Sequence, residues 1–231
     1  MAGTAIILGT GEGLSAALAR ALFSAGYALH LASRDTSDLT DLQRETDATL
    51  HDADATDTDA VRGLIDAITH RLDVAVYNPS ARVRGPLTDL DPEEVRHAVD
   101  VTALGAFRFG QAAARKMLLQ EPLNNKRGTI LFTGASAGVK GFPQSAPFAM
   151  GKFAQRGLAQ SMSRELHPKG IHVAWINIDG GILWPSRSEP DNRPNSMLRP
   201  EAIAETYIHL INQHPSAWTS EVAVRPWVEN F

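Results

Sequence analysis

The first part of the chain joins a short apolar run to a cluster of glycines and then to a helical pattern. Residues 5–8 (AIIL) predict a buried strand, and residues 14–23 carry leucines at helical spacing. Between them stand Gly9, Gly11 and Gly13. In a strand–turn–helix unit, backbone N–H groups and the positive end of the helix can hold a pyrophosphate. The pattern therefore predicts a dinucleotide-binding α/β protein, with a helix-capping turn in another α/β fold as the alternative.

The glycine spacing does not fit the common dinucleotide motif G-x-G-x-x-G, because Leu14 stands where its third glycine belongs. Gly9 and Gly13 are four residues apart instead, and Ser15 follows two residues later. This arrangement resembles the T-G-x-x-x-G-x-G turn of the short-chain dehydrogenase/reductase family, with Leu8 for the threonine and Ser15 for the last glycine. The resemblance implies that four residues here bind the cofactor: Gly9, Gly11, Gly13 and Leu14.

Composition indicates a soluble enzyme-sized domain rather than a nucleic-acid or membrane protein. The chain has 231 residues, 43% of them hydrophobic and 21% charged, with a net charge of −4. It has no cysteine, which excludes disulfides, thiolate catalysis and zinc–sulfur sites. No run reaches membrane-spanning length, and the N-terminus lacks a signal-peptide pattern. We therefore expect a cytoplasmic protein with neither a nucleic acid nor a membrane as partner.

Strand and helix patterns alternate along the whole chain. The predicted strands cover residues 5–8, 27–32, 48–54, 72–77, 129–133, 171–178 and 221–225. Seven strands that alternate with helices indicate an α/β fold, a doubly wound seven-stranded parallel sheet flanked by helices. We expect a single Rossmann-like domain over residues 1–231.

One connection, residues 180–199, is too long for an ordinary loop and predicts a substrate lid or a mobile segment. It carries Trp184, Arg187, Arg193 and Arg199. We interpret these side chains as ordinary surface of that segment. Contact with an anionic or aromatic substrate is the alternative.

The end of the second predicted strand bears on the choice between NADP and NAD. An acidic residue there binds the adenosine ribose of NAD, whereas an arginine accommodates the 2′-phosphate of NADP. The chain has Ser33 and Arg34 at this point, which favours NADP(H). Glu12 in the glycine turn disagrees, because its charge could repel the same phosphate. Arg34 could also be a solvated arginine at a strand end.

Four further positions, in three segments, follow from the family resemblance. Asp54 and Ala55 resemble the start of its D-V-T-D segment, whose aspartate contacts the adenine, although Asp54 or Asp57 could simply cap a helix. Asn78 partly matches the family's N-N-A-G segment, which passes close to the cofactor. Gly180 stands in the family's proline–glycine position beside the nicotinamide amide.

The family's catalytic residues are a tyrosine and a lysine four residues apart, a serine thirteen residues before the tyrosine, and an asparagine on the long helix. Only the lysine is present, as Lys152, which the resemblance implies binds the nicotinamide ribose. The other three positions hold Phe148, Ala135 and Thr102. A phenylalanine has no proton to give. The alternative for Lys152 is a solvated lysine on a helix.

Other side chains in these segments could replace the missing groups. The candidates are Ser136, Ser145, Tyr77 and Asp179. Asp179 is followed by glycine, so a turn-forming role is its alternative. The eight histidines have no metal-ligand spacing, and we expect no metal site.

Three functional hypotheses follow. The chain is an NADP(H)-dependent oxidoreductase with an atypical centre that reduces a small carbonyl, imine or activated alkene. Alternatively, it is a noncatalytic dinucleotide-binding subunit, or a non-redox proton-transfer enzyme that uses Asp179. Cofactor turnover, binding without turnover, and reaction without a nicotinamide spectral change distinguish the three. By resemblance, a homodimer or homotetramer is expected.

Overall fold

The computed structural model describes residues 3–184 and 186–229. Its strands are β1 Gly3–Leu8, β2 Tyr27–Ser33, β3 Thr49–Asp52, β4 Val74–Tyr77, β5 Gly128–Thr133, β6 Ile171–Ile178 and β7 Glu221–Val224. Within that part of the chain they form a parallel sheet in the order β3-β2-β1-β4-β5-β6-β7. The predicted seven-stranded α/β fold is confirmed.

Helices connect the strands on both faces of the sheet. They are α1 Leu14–Ser24, α2 Thr40–Thr46, α3 Thr58–Asp66, α4 Pro92–Val99, α5 Gly105–Leu118, α6 Ala146–Leu166 and α7 Pro200–Asn212. A wider π-helical turn over Asp100–Leu104 joins α4 to α5. The sequence predicts one long helix from Asp91 to about Leu119, and the structure is helical throughout this range but widened at the π-helical turn. None of the described helices is both long and apolar enough to cross a membrane.

Helix ends follow the local chemistry of the sequence in most places. Asp57 caps α3 by accepting hydrogen bonds from the N–H groups of Asp59 and Ala60. The sequence pattern predicts a helix over residues 58–71, but α3 ends at Asp66. The Arg71 side chain pairs with Asp73 at 2.6 Å and donates to three backbone carbonyls of the connection before β5. Tertiary hydrogen bonds thus replace the last helical turn.

The core lies in two layers, because successive residues of each strand point to opposite faces. Ile7 and Tyr207 belong to the layer on one side, and Ile6 and Trp175 belong to the layer on the other. The strand order reverses between β1 and β4. In such sheets a crevice opens at the carboxyl ends of the strands where the order reverses, and ligands bind there.

Candidate functional site

A cleft with a cavity volume of about 730 Å³ lies at the carboxyl ends of β1, β4, β5 and β6. The glycine turn forms one wall, the start of α6 forms the floor, and the segment after β6 forms the opposite wall. Six residues predicted to bind the cofactor line it: Gly9, Gly11, Leu14, Asn78, Lys152 and Gly180. The fold therefore brings together parts of the chain that are far apart in sequence.

The glycine turn has the backbone geometry that its sequence predicts. Gly9 has φ +86°, and a Cβ there would lie 2.7 Å from Pro79. Gly13, with φ +80°, is the N-cap of α1, and no side chain caps this helix. The amide of Asn78 donates to the Gly9 carbonyl at 3.0 Å and holds the turn against β4. Uncapped N–H groups and a tight turn fit a dinucleotide pyrophosphate.

A second cavity of about 250 Å³ continues the cleft past the end of β2. Its lining includes Ser33, Arg34, Asp54 and Ala55, as predicted for the adenosine end. Hydrogen bonds from the N–H and hydroxyl of Thr56 occupy one Asp54 oxygen, and the N–H bond is the main cause of the lowered pKa of that carboxyl. Arg34 is exposed and has no ion pair within the described ranges.

Glu12 lines the larger cavity rather than the one that contains Arg34. Its side chain is exposed to solvent. The carboxylate that was expected to face the 2′-phosphate therefore lies at the neighbouring part of the cleft. Among the described residues, the lining of the smaller cavity contains one acidic residue, Asp54, and its carboxylate already accepts a hydrogen bond from the Thr56 hydroxyl.

Lys152 is buried, with 2% of its surface exposed, so it is not a solvated surface lysine. Its Nζ donates to the Thr133 carbonyl at 2.6 Å and to Oε1 of Gln155 at 3.3 Å. Burial, with a smaller contribution from the positive charge of Arg82, lowers the pKa of the Lys152 ammonium to about 7. An ammonium has three protons to donate, so one remains for a ligand in the cleft.

The three substituted catalytic positions have become packing or bracing positions. Phe148 is 7% exposed and packs with Ala135 in a small apolar cluster. Thr102 is fully buried in the π-helical turn, where its hydroxyl accepts a hydrogen bond from the Ala81 N–H at 3.2 Å. The carbonyl of Thr102 accepts from Gln155, which also holds Lys152.

Ser136 and Ser145 line a third cavity of about 450 Å³ on the far side of Phe148 from the glycine turn. This cavity and the 730 Å³ cleft share Phe148, Ala135 and other lining residues, so they are continuous. Neither serine hydroxyl makes a hydrogen bond to another residue in the described part of the chain. Both hydroxyls are therefore available to a substrate oxygen.

The structure does not bring Tyr77 into the cleft, against the prediction. Its ring is fully buried between Phe109 and Phe132, and its hydroxyl donates to the Val101 carbonyl. Burial raises the pKa of the Tyr77 phenol. Tyr77 therefore anchors the π-helical turn and offers no proton to a ligand.

Asp179 also lies outside the cleft. Ile178 lines the cavity, and the next side chain points the other way, towards the end of β7. The Asp179 carboxylate is 4% exposed and pairs with Arg225 at 3.3 Å. Its position is that of a buried ion pair rather than of a base that meets a substrate.

Sequence reasoning missed Arg82, Arg84 and Gln155. Two arginines separated by one residue just after a strand point to one side of an extended segment, which was the available signal. Gln155 follows Lys152 by three residues and so lies on the same helix face. In residues 3–184 and 186–229, no group of three acidic or histidine side chains is arranged to hold a metal.

Comparison with known families and proteins is consistent with this geometry. A family model described as short chain dehydrogenase matches residues 3–183. A sepiapterin reductase of Chlorobaculum tepidum is 28% identical over 96% of this chain and 95% of its own length. A 3-dehydrosphinganine reductase of Arabidopsis thaliana is 30% identical over 74% of this chain, and the match spans 52% of that protein.

Solved structures are similar over almost the whole chain. A short-chain dehydrogenase from Rhodopseudomonas palustris is 30% identical, with a TM-score of 0.83, over 98% of this chain and 100% of that chain. A metagenomic short-chain oxidoreductase, solved in complex with NADP, is 26% identical, with a TM-score of 0.83, over 98% of both chains.

Proposed function

Because the chain belongs to the short-chain dehydrogenase family of NAD(P)-dependent oxidoreductases, we propose that it transfers hydride between NADP(H) and a small carbonyl, imine or activated alkene substrate. The observation that carries the proposal is the position of Lys152. This buried ammonium lines the same cleft as the glycine turn and the uncapped start of α1. A dinucleotide cleft in which hydrogen bonds fix the Lys152 ammonium supports hydride-transfer chemistry.

When bound, the nicotinamide supplies or accepts the hydride, and the chain's own residues do the rest. The turn from Gly9 to Gly13 and the first N–H groups of α1 hold the pyrophosphate. Lys152 would donate a hydrogen bond from its remaining N–H to the nicotinamide ribose, while Thr133 and Gln155 fix the position of its Nζ. Gly180 brings backbone to the nicotinamide end of the cleft.

The preference for NADP(H) over NAD(H) is part of the proposal. Ser33 and Arg34 line the adenosine end, and Arg34 has no ion pair in the described part of the chain. A guanidinium without an ion pair suits a 2′-phosphate, whereas the Ser33 hydroxyl already donates to the Asp35 carbonyl at 2.6 Å. The NADP bound to the metagenomic relative is consistent with this preference.

A substrate oxygen or nitrogen must gain a proton after hydride arrives, and the family's tyrosine is absent. Ser136 and Ser145 can donate hydrogen bonds to that atom from the third cavity. Lys152, with a pKa of about 7, can supply the proton through water at neutral pH. A C=N or activated C=C bond depends less on a strong acid than a ketone does, which favours those substrates.

The noncatalytic dinucleotide-binding subunit is the second candidate. It is supported by the substitution of Phe148, Ala135 and Thr102 at positions where side chains would contact the reacting atoms. The non-redox hypothesis has less support, because the Asp179 carboxylate pairs with Arg225 away from the cleft.

Location and assembly complete the proposal. We propose that the protein is cytoplasmic. We also propose a homodimer or homotetramer, because Phe107 and Phe153 on α5 and α6 are 46% exposed and suit a partner surface. Six residues of this segment line the cleft, which supports the interpretation of residues 180–199 as a substrate lid: Gly180, Gly181, Ile182, Trp184, Ser186 and Arg187.

The test is titration of the purified protein with NADPH and NADH by fluorescence, followed by an assay on a panel of carbonyl and imine compounds. The proposal expects tighter binding of NADPH and its oxidation with at least one compound. Binding without turnover across the panel would support the noncatalytic subunit. Failure of both nucleotides to bind would refute both candidates.

A further inference from the structure

The substrate end of the cleft concentrates positive charge. Arg82 and Arg84 line both the 730 Å³ cleft and the 450 Å³ cavity, and Arg187 lines the cleft. None of these arginines forms an ion pair within the described ranges. No carboxylate lines the 450 Å³ cavity, and Glu12 alone represents the acidic residues in the lining of the cleft. The protein therefore supplies these cations with almost no countercharge.

Hydrogen bonds from two backbone N–H groups hold the segment that carries Arg82 and Arg84 in place. The N–H of Ala81 donates to the Thr102 hydroxyl at 3.2 Å, and the N–H of Gly85 donates to the Gln144 carbonyl at 3.2 Å. The segment between them is thus tied at both ends. The Arg82 guanidinium lies 4.3 Å from the centre of the Phe148 ring, a cation–π contact that fixes its direction.

This arrangement is electrostatically costly without a ligand. Partial burial lowers the pKa of Arg82, and the charges of Arg84 and Arg187 lower it further. Arg82 in turn acts on Lys152, whose pKa falls to about 7 mainly through burial. Like charges gathered in one cavity repel each other, and an anion bound among them relieves that repulsion.

The cofactor's own phosphates have separate places in the fold. The pyrophosphate has the glycine turn and the start of α1, and the 2′-phosphate has Arg34. Arg82 and Arg84 line the cofactor cleft at its substrate end and also reach the 450 Å³ cavity, whose lining contains neither the glycine turn nor Arg34. The anion that they serve is therefore a part of the substrate.

We propose that Arg82 and Arg84 bind a carboxylate or phosphate group of the substrate, which is attached to a small apolar body. The apolar body packs against Phe148, Phe142 and Pro143, which line the same cavity as the arginines. Guanidinium groups bind both kinds of anion through paired hydrogen bonds. This inference rests on the proposed function for the reaction, but the anion site itself is defined by the arginines.

Calorimetry with three unreactive probes tests the site. Benzoate, phenyl phosphate and the uncharged methyl benzoate are titrated into the protein with and without saturating NADP⁺. We expect benzoate or phenyl phosphate to bind about tenfold or more tightly than methyl benzoate, since charge-assisted hydrogen bonds supply that difference. Tighter binding of benzoate identifies a carboxylate as the preferred anion, and tighter binding of phenyl phosphate identifies a phosphate.

The double variant Arg82→Gln/Arg84→Gln should lose that preference by about tenfold. The control Arg44→Gln/Arg62→Gln removes the same charge from exposed arginines on α2 and α3 and should bind the probes as wild type does. The single variant Arg84→Gln provides a milder change if the double variant folds poorly, and it should lose part of the preference.

Two results would overturn the anion site. One is that wild type binds methyl benzoate as tightly as the anionic probes, or binds none of the three probes. The other is a double variant that keeps its probe affinity but loses NADPH affinity, since the arginines would then serve the cofactor. Because the probes bind without reacting, anion binding by a protein that oxidises no NADPH supports the site and counts against the proposed reaction alone.

Discussion

The cofactor side and the substrate side of the cleft are lined by different kinds of chemical group. The cofactor side is mostly backbone: a glycine turn, the uncapped start of α1 and the carbonyl of Gly9 held by Asn78. The substrate side is made of side chains, with Phe148 and Arg82 at its centre. Two of the residues that depart from the family's catalytic pattern, Phe148 and Ala135, line the second side, and the third, Thr102, is buried in the π-helical turn.

This difference has a physical origin. Backbone N–H groups are present in every residue except proline, so a phosphate site survives many substitutions as long as the turn keeps its shape. A proton donor is one side chain, and replacing tyrosine by Phe148 removes it completely. Dinucleotide binding and reaction chemistry can therefore change independently in one fold. Lys152 lies where the two sides meet, and it provides the sharpest tests of the comparison.

The largest expected effect is on the pH dependence of stability. The Lys152 amine titrates at about pH 7 in the folded protein, below its value of about 10.4 in an unfolded chain. Between these values the unfolded chain binds more protons, so the free energy of unfolding rises with pH by up to about 1.4 kcal/mol per unit. The variant Lys152→Met lacks this contribution.

Chemical denaturation of wild type and Lys152→Met from pH 7 to 10 measures the effect. Relative to wild type, Lys152→Met should lose stability as pH rises. The difference in free energy of unfolding should change by several kcal/mol, because the slope given above applies over about three pH units. The control Lys169→Met, at an exposed lysine, should run parallel to wild type. A constant difference between Lys152→Met and wild type would show that the ammonium is not destabilised by burial.

The next largest effect concerns turnover. Lys152→Met should reduce kcat/KM for NADPH oxidation by about 100-fold, because both the ribose contact and the proton source are lost. Steady-state kinetics beside Lys169→Met measures it. Loss of NADPH affinity alone, with kcat unchanged, would restrict Lys152 to the cofactor side.

A smaller effect is expected at the adenosine end. Arg34→Ala should weaken NADPH binding by about tenfold and leave NADH binding unchanged, since a guanidinium–phosphate contact contributes that much. Fluorescence titration checks it, with Arg44→Ala as a matched surface control. Equal losses for both nucleotides would mean that Arg34 supports the local fold rather than the 2′-phosphate.

The sequence predicted the cofactor side better than the substrate side, and the reason is local. Glycines, helix starts and strand ends depend on neighbouring residues, so the seven strands and the cap at Asp57 followed directly from the pattern. The direction of a side chain beyond a strand depends on tertiary packing. Asp179 therefore turned towards Arg225, and Tyr77 pointed into the core.

The positions of Arg82 and Arg84 also depend on tertiary packing. Arg82 and Arg84 lie in an irregular segment, and hydrogen bonds to Thr102 and Gln144 tie that segment at both ends. Those partners are distant in the chain. Composition and spacing could not indicate that the two guanidinium groups face the cavity beside Phe148.

The most direct test of the account compares wild type with Phe148→Tyr in the NADPH oxidation assay. The account predicts that wild type turns over NADPH with at least one carboxylate- or phosphate-bearing carbonyl or imine. It also predicts that the tyrosine changes kcat/KM by less than about tenfold, because the proton already has another source. Turnover that appears only after tyrosine is restored would contradict the account and identify the natural protein as a dinucleotide-binding subunit.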